Sequence, residues 1–581
     1  MTTARISSTI QTRGLGLAVL RTLPLAVIGC SSAGDIATPT VINNADGITE
    51  DFGFGPGPSM LAEMGRLGGF PLLFCRAETG TAGQMGAYHQ TGAGSAAAGT
   101  MSSVTGTSTA IPALTGTPDQ SYAVRIRVTT AGANIAAVPV VQISLDGGLT
   151  WLAAGAVTVS ATAQAIGSTG LSLAWTDGTF VLNDYWTAQG ANCPTDGDAT
   201  GASVPAFTGT PRDAFDLVVR VTRSAATAGD GTGAIRYSLD GGETEAPELP
   251  VPTSRAIVLG DSGITVTFSA ASLVAGDRYY VKTQAPVFTA SAMATALAAL
   301  EGAGVRDHEG IVIAGAIDAT YFDEIETSHD RLIAASKPRW ILAHARGQGA
   351  SLYGETGSAW QSAILGASPG FSGQDAQLVA VAAGECIMPD SLHRDAELRR
   401  SVAFAIAARL AQIDAAEHPG FVRAGKLSLS TLVHDLASSD YSSLDGGGFI
   451  GAQSIQGAEG YYATDVTRAP AGSDFSTIMR VRVMCLAARI ALARMVEELN
   501  SSPDVNTDGT IRADVADGLD ASVTSYVARE LGRRVTSVQV QVSRTQNLVT
   551  SETLPFKVRL VPRGYAKVIT LDLGFTLNSG N

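Results

Sequence analysis

The sequence predicts an α/β (α+β) core with extended terminal β-strands and an inserted all-β region of two tandem sandwich-like modules. Strand and helix patterns alternate over residues 23–110 and 291–500, which is typical of a partly parallel sheet. Residues 111–290 are rich in β-branched residues and glycine, lack helical spacing and contain an internal repeat. The last predicted strand has one apolar face, so we expect it to pair with another strand.

The chain of 581 residues has room for several domains, since about 150 residues per domain are usual. The pattern predicts six segments. They are an N-terminal extended arm (1–22), the N-terminal part of the core (23–110), a first β-module (111–200), a second β-module (201–290), the α/β core (291–500), and a C-terminal helix with strands (501–581).

The first core segment predicts a strand, a helix and a second strand. Leu25–Ile28 is an apolar run, and the Gly- and Pro-rich run Gly53–Pro58 predicts a break in the chain. Ser59 is placed to cap a short helix with apolar residues at helical spacing. Phe70–Phe74 is the next predicted strand, and residues 79–110 are a predicted linker.

Short matches recur in order through the β-rich segment. Gly116-Thr-Pro118 recurs as Gly209-Thr-Pro211 at an offset of 93 residues. Ser144-Leu-Asp-Gly-Gly148 recurs as Ser238-Leu-Asp-Gly-Gly242 at an offset of 94 residues. The repeat predicts two modules of about 90 residues, each a small sandwich.

The second core segment returns to alternating strands and helices. Trp340–Ala343 and Leu378–Val381 are short apolar runs, which are typical of strands buried on both faces. Apolar residues from Leu398 to Ile413 recur at helical spacing and predict a long helix. The Gly-rich stretch Ser443–Gly460 predicts a long loop.

The C-terminal segment predicts a helix from about Ile511 to Leu531, followed by three strands. The strands are Val535–Val542, Pro555–Val561 and Lys567–Phe575. Polar and apolar residues alternate along the third strand, so one of its faces is apolar.

Composition excludes several classes of protein. Lys+Arg total 39 and Asp+Glu total 53, so the net charge is −14. We expect no direct binding of nucleic acid, which requires a basic face. Charged residues make up only 16% of the chain, against about 25% in typical soluble domains; we expect tight turns and a surface covered by partners. No apolar run approaches 18 residues, so no membrane-spanning helix is expected.

The five cysteines, at positions 30, 75, 193, 386 and 485, form no CxxC pair, and we expect buried, reduced thiols. Val27-Ile-Gly-Cys30 resembles a loose lipobox at the end of a bacterial lipoprotein signal. The apolar stretch Leu23–Gly29 is at the short limit for such a signal. The other interpretation of this segment is a buried strand.

Ser144-Leu-Asp-Gly-Gly-Leu-Thr-Trp151 matches the Asp-box pattern S-x-D-x-G-x-T-W, and the second copy has Glu245 in place of the Trp. Hydroxyl and carboxylate side chains in such a box hydrogen-bond the backbone of a hairpin turn. We therefore predict structural turns, with carbohydrate contact as the alternative. The predicted turn residues are Ser144, Asp146, Gly148, Thr150, Trp151, Ser238, Asp240 and Gly242.

Other motifs are incomplete. Asp504, Asn506 and Asp508 match the first half of an EF-hand loop, but Val515 stands where a bidentate Glu is required; these residues are a calcium candidate or an Asx-rich turn. Gly260-Asp-Ser-Gly263 resembles a protease nucleophile loop and is predicted to be a turn. The seven His show no HxxxH or HExxH spacing. We expect no cofactor, no catalytic metal and no enzymatic activity.

Two stretches resemble the contractile tail sheath family of phages and related contractile injection systems. The first is Pro24–Gly29 with the small-residue loop after it, and Gly68–Arg76 further on. The second is Leu554–Pro562 followed by Ala566–Phe575. With the α/β block at 291–500, the resemblance covers about 390 residues and leaves the β-rich segment outside.

The resemblance implies a structural subunit that polymerises with itself as stacked rings around an inner tail tube protein, between baseplate and tail terminator proteins. Such subunits exchange strands with neighbours and contract by repacking. It implies a place in the virion tail, assembled in the host cytoplasm, without a membrane anchor. The implied inter-subunit strand contains Lys567, Val568, Ile569, Thr570, Leu571, Asp572, Leu573 and Phe575.

Two alternatives stay open. A bacterial surface lipoprotein with glycan-binding Asp-box β-domains requires signal cleavage before Cys30. A glycosidase requires paired carboxylates in a cleft, and the sequence indicates no such pair.

Overall fold

The computed structural model describes residues 23–86, 89–91, 100–118, 122–167, 169–191, 201–302, 304–348, 356–367 and 369–567. The chain divides into two compact units. The first unit contains the described residues up to Ala334, together with Arg339–Ile413 and Pro419–Ile478. The second unit contains Ala335–Pro338, Asp414–His418 and the described residues from Met479 onward.

The first part of the chain alternates strands and helices. Its elements are β1 (Ala26–Gly29), β2 (Thr40–Ile42), α1 (Asp46–Phe52), α2 (Pro56–Gly68), β3 (Leu72–Arg76), β4 (Thr79–Thr81), β5 (Gln84–Met85) and β6 (His89–Thr91).

Strands dominate from residue 100 to residue 288, and we call residues 100–191 the first β-region and residues 201–288 the second β-region. The first contains β7 (Thr100–Met101), β8 (Pro112–Gly116), β9 (Tyr122–Thr130), β10 (Val140–Ser144), β11 (Gln164–Ala165), β12 (Leu171–Trp175) and β13 (Tyr185–Ala191). The second contains β14 (Pro205–Gly209), β15 (Asp216–Arg223), β16 (Ala234–Ser238), β17 (Leu249–Pro250), β18 (Ala256–Val258), β19 (Ile264–Phe268), β20 (Arg278–Gln284) and β21 (Val287–Phe288).

The chain then returns to mixed structure. These elements are α3 (Ala290–Glu301), β22 (Gly310–Ile317), α4 (Ala319–Ala334), β23 (Trp340–Ala345), α5 (Gly357–Leu365), β24 (Val379–Ala382), β25 (Glu385–Asp390), β26 (Ala396–Ser401), α6 (Ala403–Gln412), β27 (Thr431–Leu432), α7 (Ser442–Gly446), β28 (Phe449–Ile450), β29 (Ala452–Ser454) and β30 (Tyr461–Ala463). The last elements are α8 (Ile478–Met495), α9 (Ala513–Leu531), β31 (Val535–Val542), α10 (Leu548–Ser551) and β32 (Phe556–Pro562).

A seven-stranded sheet forms the core of the first unit, with the strand order β2-β3-β1-β22-β23-β24-β28. All neighbours in it pair in parallel except β2, which runs antiparallel to β3 at the edge. Strands β1, β23 and β24 are buried along their whole length, as expected when helices cover both faces of a parallel sheet. The prediction of a mixed α/β core is confirmed.

Strand β1 shows how side chains divide between the two faces of this sheet. Ala26, Ile28 and Cys30 belong to one buried cluster with residues of α3, α4 and α5, because alternate residues of a strand point to the same face. Helices α2 and α6 pack together near the other face, where α2 contacts β1 and α6 contacts β23. Where α2 contacts β1, a Cβ added to Gly29 would lie 2.8 Å from the Cα of Gly57. The small residues here therefore allow the helix to approach the strand closely.

Both β-regions lie in the chain between β3 and β22, which belong to the same sheet. In the first β-region, a four-stranded sheet (β10-β9-β13-β7) and a three-stranded sheet (β11-β12-β8) contribute to one buried cluster. The second β-region supplies the strands of the sheet β14-β19-β18 and most of the sheet β17-β16-β15-β20-β5, to which the earlier strand β5 adds at the edge. These two sheets contribute to another buried cluster. The cluster of the second β-region also contains Ala396 and Leu398 of β26, so the β25–β26 hairpin packs against it.

Four sequence predictions were wrong in detail. Helix α2 begins at Pro56, so the predicted cap Ser59 lies inside the helix; proline suits the first helical position. The predicted linker 79–110 contains β4 to β7, which pair with strands of the β-rich part. Leu398 lies in β26, since its apolar neighbours alternate before α6 begins. The predicted loop 443–460 contains β28, which joins the seven-stranded sheet.

Candidate functional site

The second unit contains a two-stranded antiparallel sheet of β31 and β32. The sheet buries one face: Val542 belongs to a small cluster with Ile511 and Ala516, and Phe556 packs against that cluster. The other face carries exposed side chains, including Lys557 and Arg559. Among the described residues, neither strand has a second strand as a neighbour.

Helix α9 occupies the outer edge of β31. The backbone N–H of Val540 donates to Thr524 Oγ1 at 3.1 Å, and that of Val542 donates to Asp520 Oδ1 at 2.6 Å. These two amides therefore point away from β32. Side chains of α9 satisfy donors that an additional strand would otherwise bond.

The same two bonds identify which groups of β32 face outward. Val540 is paired with Val558, and Val542 with Phe556. In an antiparallel ladder, residues whose amides point away from the partner strand form the non-hydrogen-bonded pairs. The backbone N–H and C=O of Phe556 and Val558 therefore point to the free edge of β32, where another strand can bond them.

The predicted inter-subunit strand follows this edge in sequence. Its first residue, Lys567, is exposed. Its other predicted members, Val568, Ile569, Thr570, Leu571, Asp572, Leu573 and Phe575, lie outside the described residues. The pairing of this strand stays a prediction, as does the N-terminal arm 1–22.

The first Asp-box forms a turn that its own side chains close. Ser144 Oγ donates to Asp146 Oδ1 at 2.7 Å and accepts the N–H of Gly148 at 2.7 Å. Asp146 accepts the N–H of Leu149 at 3.0 Å and the hydroxyl of Thr150 at 2.5 Å. All of these bonds lie within the turn, so these side chains stabilise the conformation of the turn.

The second Asp-box repeats this network and adds one bond. Ser238 Oγ donates to Asp240 Oδ1 at 2.6 Å and accepts the N–H of Gly242 at 2.8 Å. Asp240 Oδ2 accepts the hydroxyl of Thr244 at 2.6 Å and the N–H of Glu397, in β26, at 2.9 Å. This turn therefore binds the core hairpin through the carboxylate of Asp240.

The calcium candidate loop lies in the second unit, and its side chains bond protein groups. Asp508 Oδ1 accepts the N–H and the hydroxyl of Thr510, at 3.0 and 2.7 Å. Asp504 Oδ2 lies 3.4 Å from Arg512 Nη1, and Asn506 Nδ2 donates to Thr510 Oγ1 at 3.1 Å. Calcium binding here stays a prediction.

Burial controls the titratable groups of the core. Cys30, Cys75 and Cys386 are buried and form no disulfide. Burial raises the pKa of Cys30 to about 11 and that of Cys75 to about 12. Residues 27–29 of the lipobox-like segment lie in strand β1, and Cys30, which follows the strand, is buried. Among the described residues, no helix is long and apolar enough to span a bilayer.

Sequence reasoning missed one group of side chains. Among the described residues, Asp213, Asp390 and His393 are the three possible metal-ligating residues that come together, and all three are buried. Asp213 is far from the other two in sequence, so no spacing motif contains it. The local signal in the sequence is the Asp390-x-x-His393 pair alone.

Comparison with family models identifies the family of the chain. The model described as "DUF2586, N-terminal domain" matches residues 24–467, and the model described as "DUF2586, C-terminal domain" matches residues 474–580. The chain belongs to the DUF2586 family. A comparison with curated protein sequences finds no match.

Several solved structures similar to this DUF2586 chain are sheath proteins. A sheath tail protein from Desulfitobacterium hafniense is 11% identical, with 96% of this chain and 100% of that chain covered and a TM-score of 0.37. A sheath tail protein from Listeria innocua is 11% identical, with 93% and 95% covered and a TM-score of 0.39. The PVC sheath complex of an extracellular contractile injection system, in the contracted state, is 12% identical, with 52% and 77% covered and a TM-score of 0.35. Because these TM-scores are below 0.5, the function proposed below rests on this chain's own residues.

Proposed function

We propose that this DUF2586 chain is a structural subunit of a contractile tail sheath, which polymerises as stacked rings around an inner tube. The free edge of β32 carries the proposal. Its outward N–H and C=O groups at Phe556 and Val558 have the polarity that an added strand requires. The sequence supplies a strand pattern at Lys567–Phe575, which resembles the linking strand of sheath subunits.

In this proposal, the terminal strand of one subunit adds to the β31–β32 sheet of the next. Backbone hydrogen bonds hold such a link whatever the side-chain packing around it, so the link is kept while subunits repack during contraction. The two β-regions are tandem sandwich-like modules that leave the core between β3 and β22. The inner tube, baseplate and tail terminator proteins are the proposed partners, and the assembled tail is the proposed location.

Negative-stain electron microscopy of the full chain and of a chain ending at Ala566 tests the proposal. We expect hollow cylinders or rings from the full chain and dispersed subunits from the truncated one. Discrete subunits from both chains under all assembly conditions would overturn the sheath assignment. Cylinders from both chains would overturn strand addition by Lys567–Phe575.

A proline substitution tests the accepting edge itself. Val558→Pro removes an N–H that points away from β31, so the ladder keeps its bonds and the subunit is expected to fold, as proline is tolerated on edge strands. The matched control is Val558→Ala, which shortens the same side chain and keeps the N–H. We expect polymerisation to be lost in Val558→Pro and retained in Val558→Ala; equal polymerisation of both variants contradicts edge pairing at β32.

A further inference from the structure

The buried group Asp213, Asp390 and His393 lies where the second β-region packs on the β25–β26 hairpin. Asp213 comes just before β15, while Asp390 ends β25 and His393 ends the 3-10 turn Ser391–His393 that follows. One ligand atom from each residue lies within 4.8 Å of the others. Asp213 is 0% exposed, Asp390 7% and His393 2%.

His393 is the part of this group whose hydrogen bonding is incomplete. Its two ring nitrogens are both buried and have no hydrogen-bond partner, an arrangement that costs free energy unless something binds them. The ring is held in place, with its centroid 5.0 Å from that of Phe215 and 5.6 Å from that of Phe54. A fixed imidazole with free nitrogens is prepared to bind a ligand.

The spacing of the ligand atoms fits a cation between them. His393 Nε2 lies 3.9 Å from Asp213 Oδ2. This distance is too long for a hydrogen bond, whose donor–acceptor distance is at most about 3.2 Å. Two ligand atoms that lie about 2.0–2.2 Å from one tetrahedral zinc ion are about 3.3–3.6 Å apart. A small rotation of the two side chains therefore brings both atoms to one metal ion.

The charges around His393 leave a negative balance. Two buried carboxylates, those of Asp213 and Asp390, lie beside one buried guanidinium, that of Arg400. Arg400 pairs with Asp213 Oδ1 at 2.6 Å and with Asp390 Oδ2 at 2.5 Å. A buried group with an excess of carboxylates is costly without further positive charge. A divalent cation supplies the missing charge.

Arg400 does not use all the acceptor capacity of the carboxylates. Arg400 Nη2 also donates to Asp213 Oδ2 at 2.8 Å, and backbone amides donate to Asp213 Oδ1 and Asp390 Oδ1 at 2.8 and 3.0 Å. Ser59 also hydrogen-bonds Asp390. Because each carboxylate oxygen has two lone pairs, Asp213 Oδ2 and one oxygen of Asp390 can still bind a cation.

A cavity of about 90 Å³ borders His393, one member of this group. Tyr237, Asp261, His393 and Arg394 are among the residues that line it. The cavity therefore lies on the His393 side of the group, where an entering ion can approach it.

We propose that Asp213, Asp390 and His393 bind one divalent first-row transition-metal ion, of the class of Zn²⁺, which fastens the second β-region to the core hairpin. One imidazole nitrogen with two carboxylates suits zinc or manganese, whereas Ca²⁺ and Mg²⁺ prefer oxygen ligands alone. Water completes the coordination. The site does not depend on the function proposed above.

Titration of Zn²⁺ into the chelator-treated full chain tests the site, with calorimetry for stoichiometry and thermal unfolding for stabilisation. We expect one Zn²⁺ per chain and a rise in Tm, because an ion that binds only the folded state stabilises it. Ca²⁺ is expected to produce neither effect. Less than about 0.1 Zn²⁺ bound per chain at about 100 µM free Zn²⁺, where a micromolar site would be filled, overturns the proposal without any variant.

His393→Gln assigns the site, and His344→Gln is its matched control. His344 is another buried histidine, with Nε2 unbonded but outside the carboxylate group. We expect His393→Gln to weaken Zn²⁺ binding about tenfold or more, a loss of about 1.4 kcal/mol, and His344→Gln to leave it unchanged. Equal binding in the two variants places the ion elsewhere and overturns the assignment.

If His393→Gln does not fold, Asp390→Asn is measured in its place, together with the visible spectrum of the Co²⁺-loaded wild-type chain. A spectrum of hexaaquo Co²⁺ overturns the site.

Discussion

The two β-regions carry the same Asp-box turn and support it differently. In the first, Arg127 lies against Trp151, with its guanidinium carbon 4.1 Å from the ring centroid, and donates to Gln142 at 3.0 and 2.7 Å. In the second, Glu245 stands at the position of Trp151 and pairs with Arg220 at 2.5 Å. An equivalent arginine is therefore held by an aromatic ring in one copy and by a carboxylate in the other.

The copies also differ in what their Asp-box carboxylates bind. Asp146 bonds within its own turn, including the N–H of Leu149, whereas Asp240 also accepts the N–H of Glu397 in the core hairpin. A repeated turn can thus serve as a self-contained unit in one copy and as a docking contact in the other. The contrast predicts that the stability of the second β-region depends on contacts with the core more strongly than that of the first β-region does.

The largest effect is expected from the ion pairs that tie the second β-region to the hairpin. Arg400→Met leaves Asp213 and Asp390 buried without their guanidinium. Removal of one partner from a buried ion pair costs about 3–5 kcal/mol. Urea titration is expected to show a loss of this size in the free energy of unfolding.

The matched control for Arg400→Met is Arg127→Met in the first β-region. Arg127 is half-buried and stacks on Trp151, and such a contact is worth about 0.5–1 kcal/mol. Losses of equal size in the two variants would contradict the stronger dependence of the second β-region on the core.

A smaller effect separates the two Asp-boxes themselves. Asp240→Asn and Asp146→Asn both weaken the turn, but only the first replaces an acceptor of the Glu397 amide. Hydrogen bonds to charged groups contribute about 1.5–3 kcal/mol, so we expect Asp240→Asn to cost that much more than Asp146→Asn. Hydrogen exchange at the Glu397 amide should rise in Asp240→Asn alone; faster exchange in both variants would mean that the turn, not the bond, protects it.

The sequence predicted features that depend on local pattern. Strand β31 was predicted with its observed ends, because Val535–Val542 has strand-forming residues and a helix before it. The Asp-box residues were recognisable because their bonds close within a few positions. Helix α2 was placed too late, because the Gly-Pro run that resembled a break is a helix start.

Features that depend on distant residues could not be predicted. The contact of Asp240 with Glu397 joins residues that no spacing rule connects. The same is true of Asp213 and His393, which the packing of the second β-region brings together. Thr524 and Asp520 of α9 accept the outward amides of β31, so the free edge of the two-stranded sheet is on β32. Only the three-dimensional arrangement shows which edge is free.

Acid should weaken both β-regions through carboxylates that accept several hydrogen bonds. For Asp240, burial works to raise the pKa, but bonds from two hydroxyls and two backbone amides outweigh it and lower the pKa below its ordinary 3.8. Asp184 of the first β-region is lowered in the same way, against burial, by bonds from Ser108 and Thr107. A lowered carboxyl pKa stabilises the fold above the unfolded value, and this stabilisation is lost as pH falls through the folded pKa.

We therefore expect stability to decline as pH falls below the ordinary aspartate value of 3.8. Asp240→Asn should flatten this decline, because the substituted group no longer takes up a proton on unfolding. Urea midpoints measured across this pH range test the sign. A decline equally steep in Asp240→Asn would assign the acid sensitivity to other carboxylates.

The smallest effect concerns the two arginine contacts, and it distinguishes them by mechanism. The Arg220–Glu245 pair is partly exposed, with side chains 32% and 27% accessible, so its coupling of about 0.2–1 kcal/mol should fall as salt shortens the Debye length. The Arg127–Trp151 contact rests on the ring quadrupole and on close packing, so its coupling should change less. Double-mutant cycles at low and high salt measure both coupling energies.

Exchange of the partners, Trp151→Glu in one copy and Glu245→Trp in the other, should exchange the salt dependence as well. If the salt dependence stays with the copy, the surrounding sheet rather than the partner residue determines how the arginine is held.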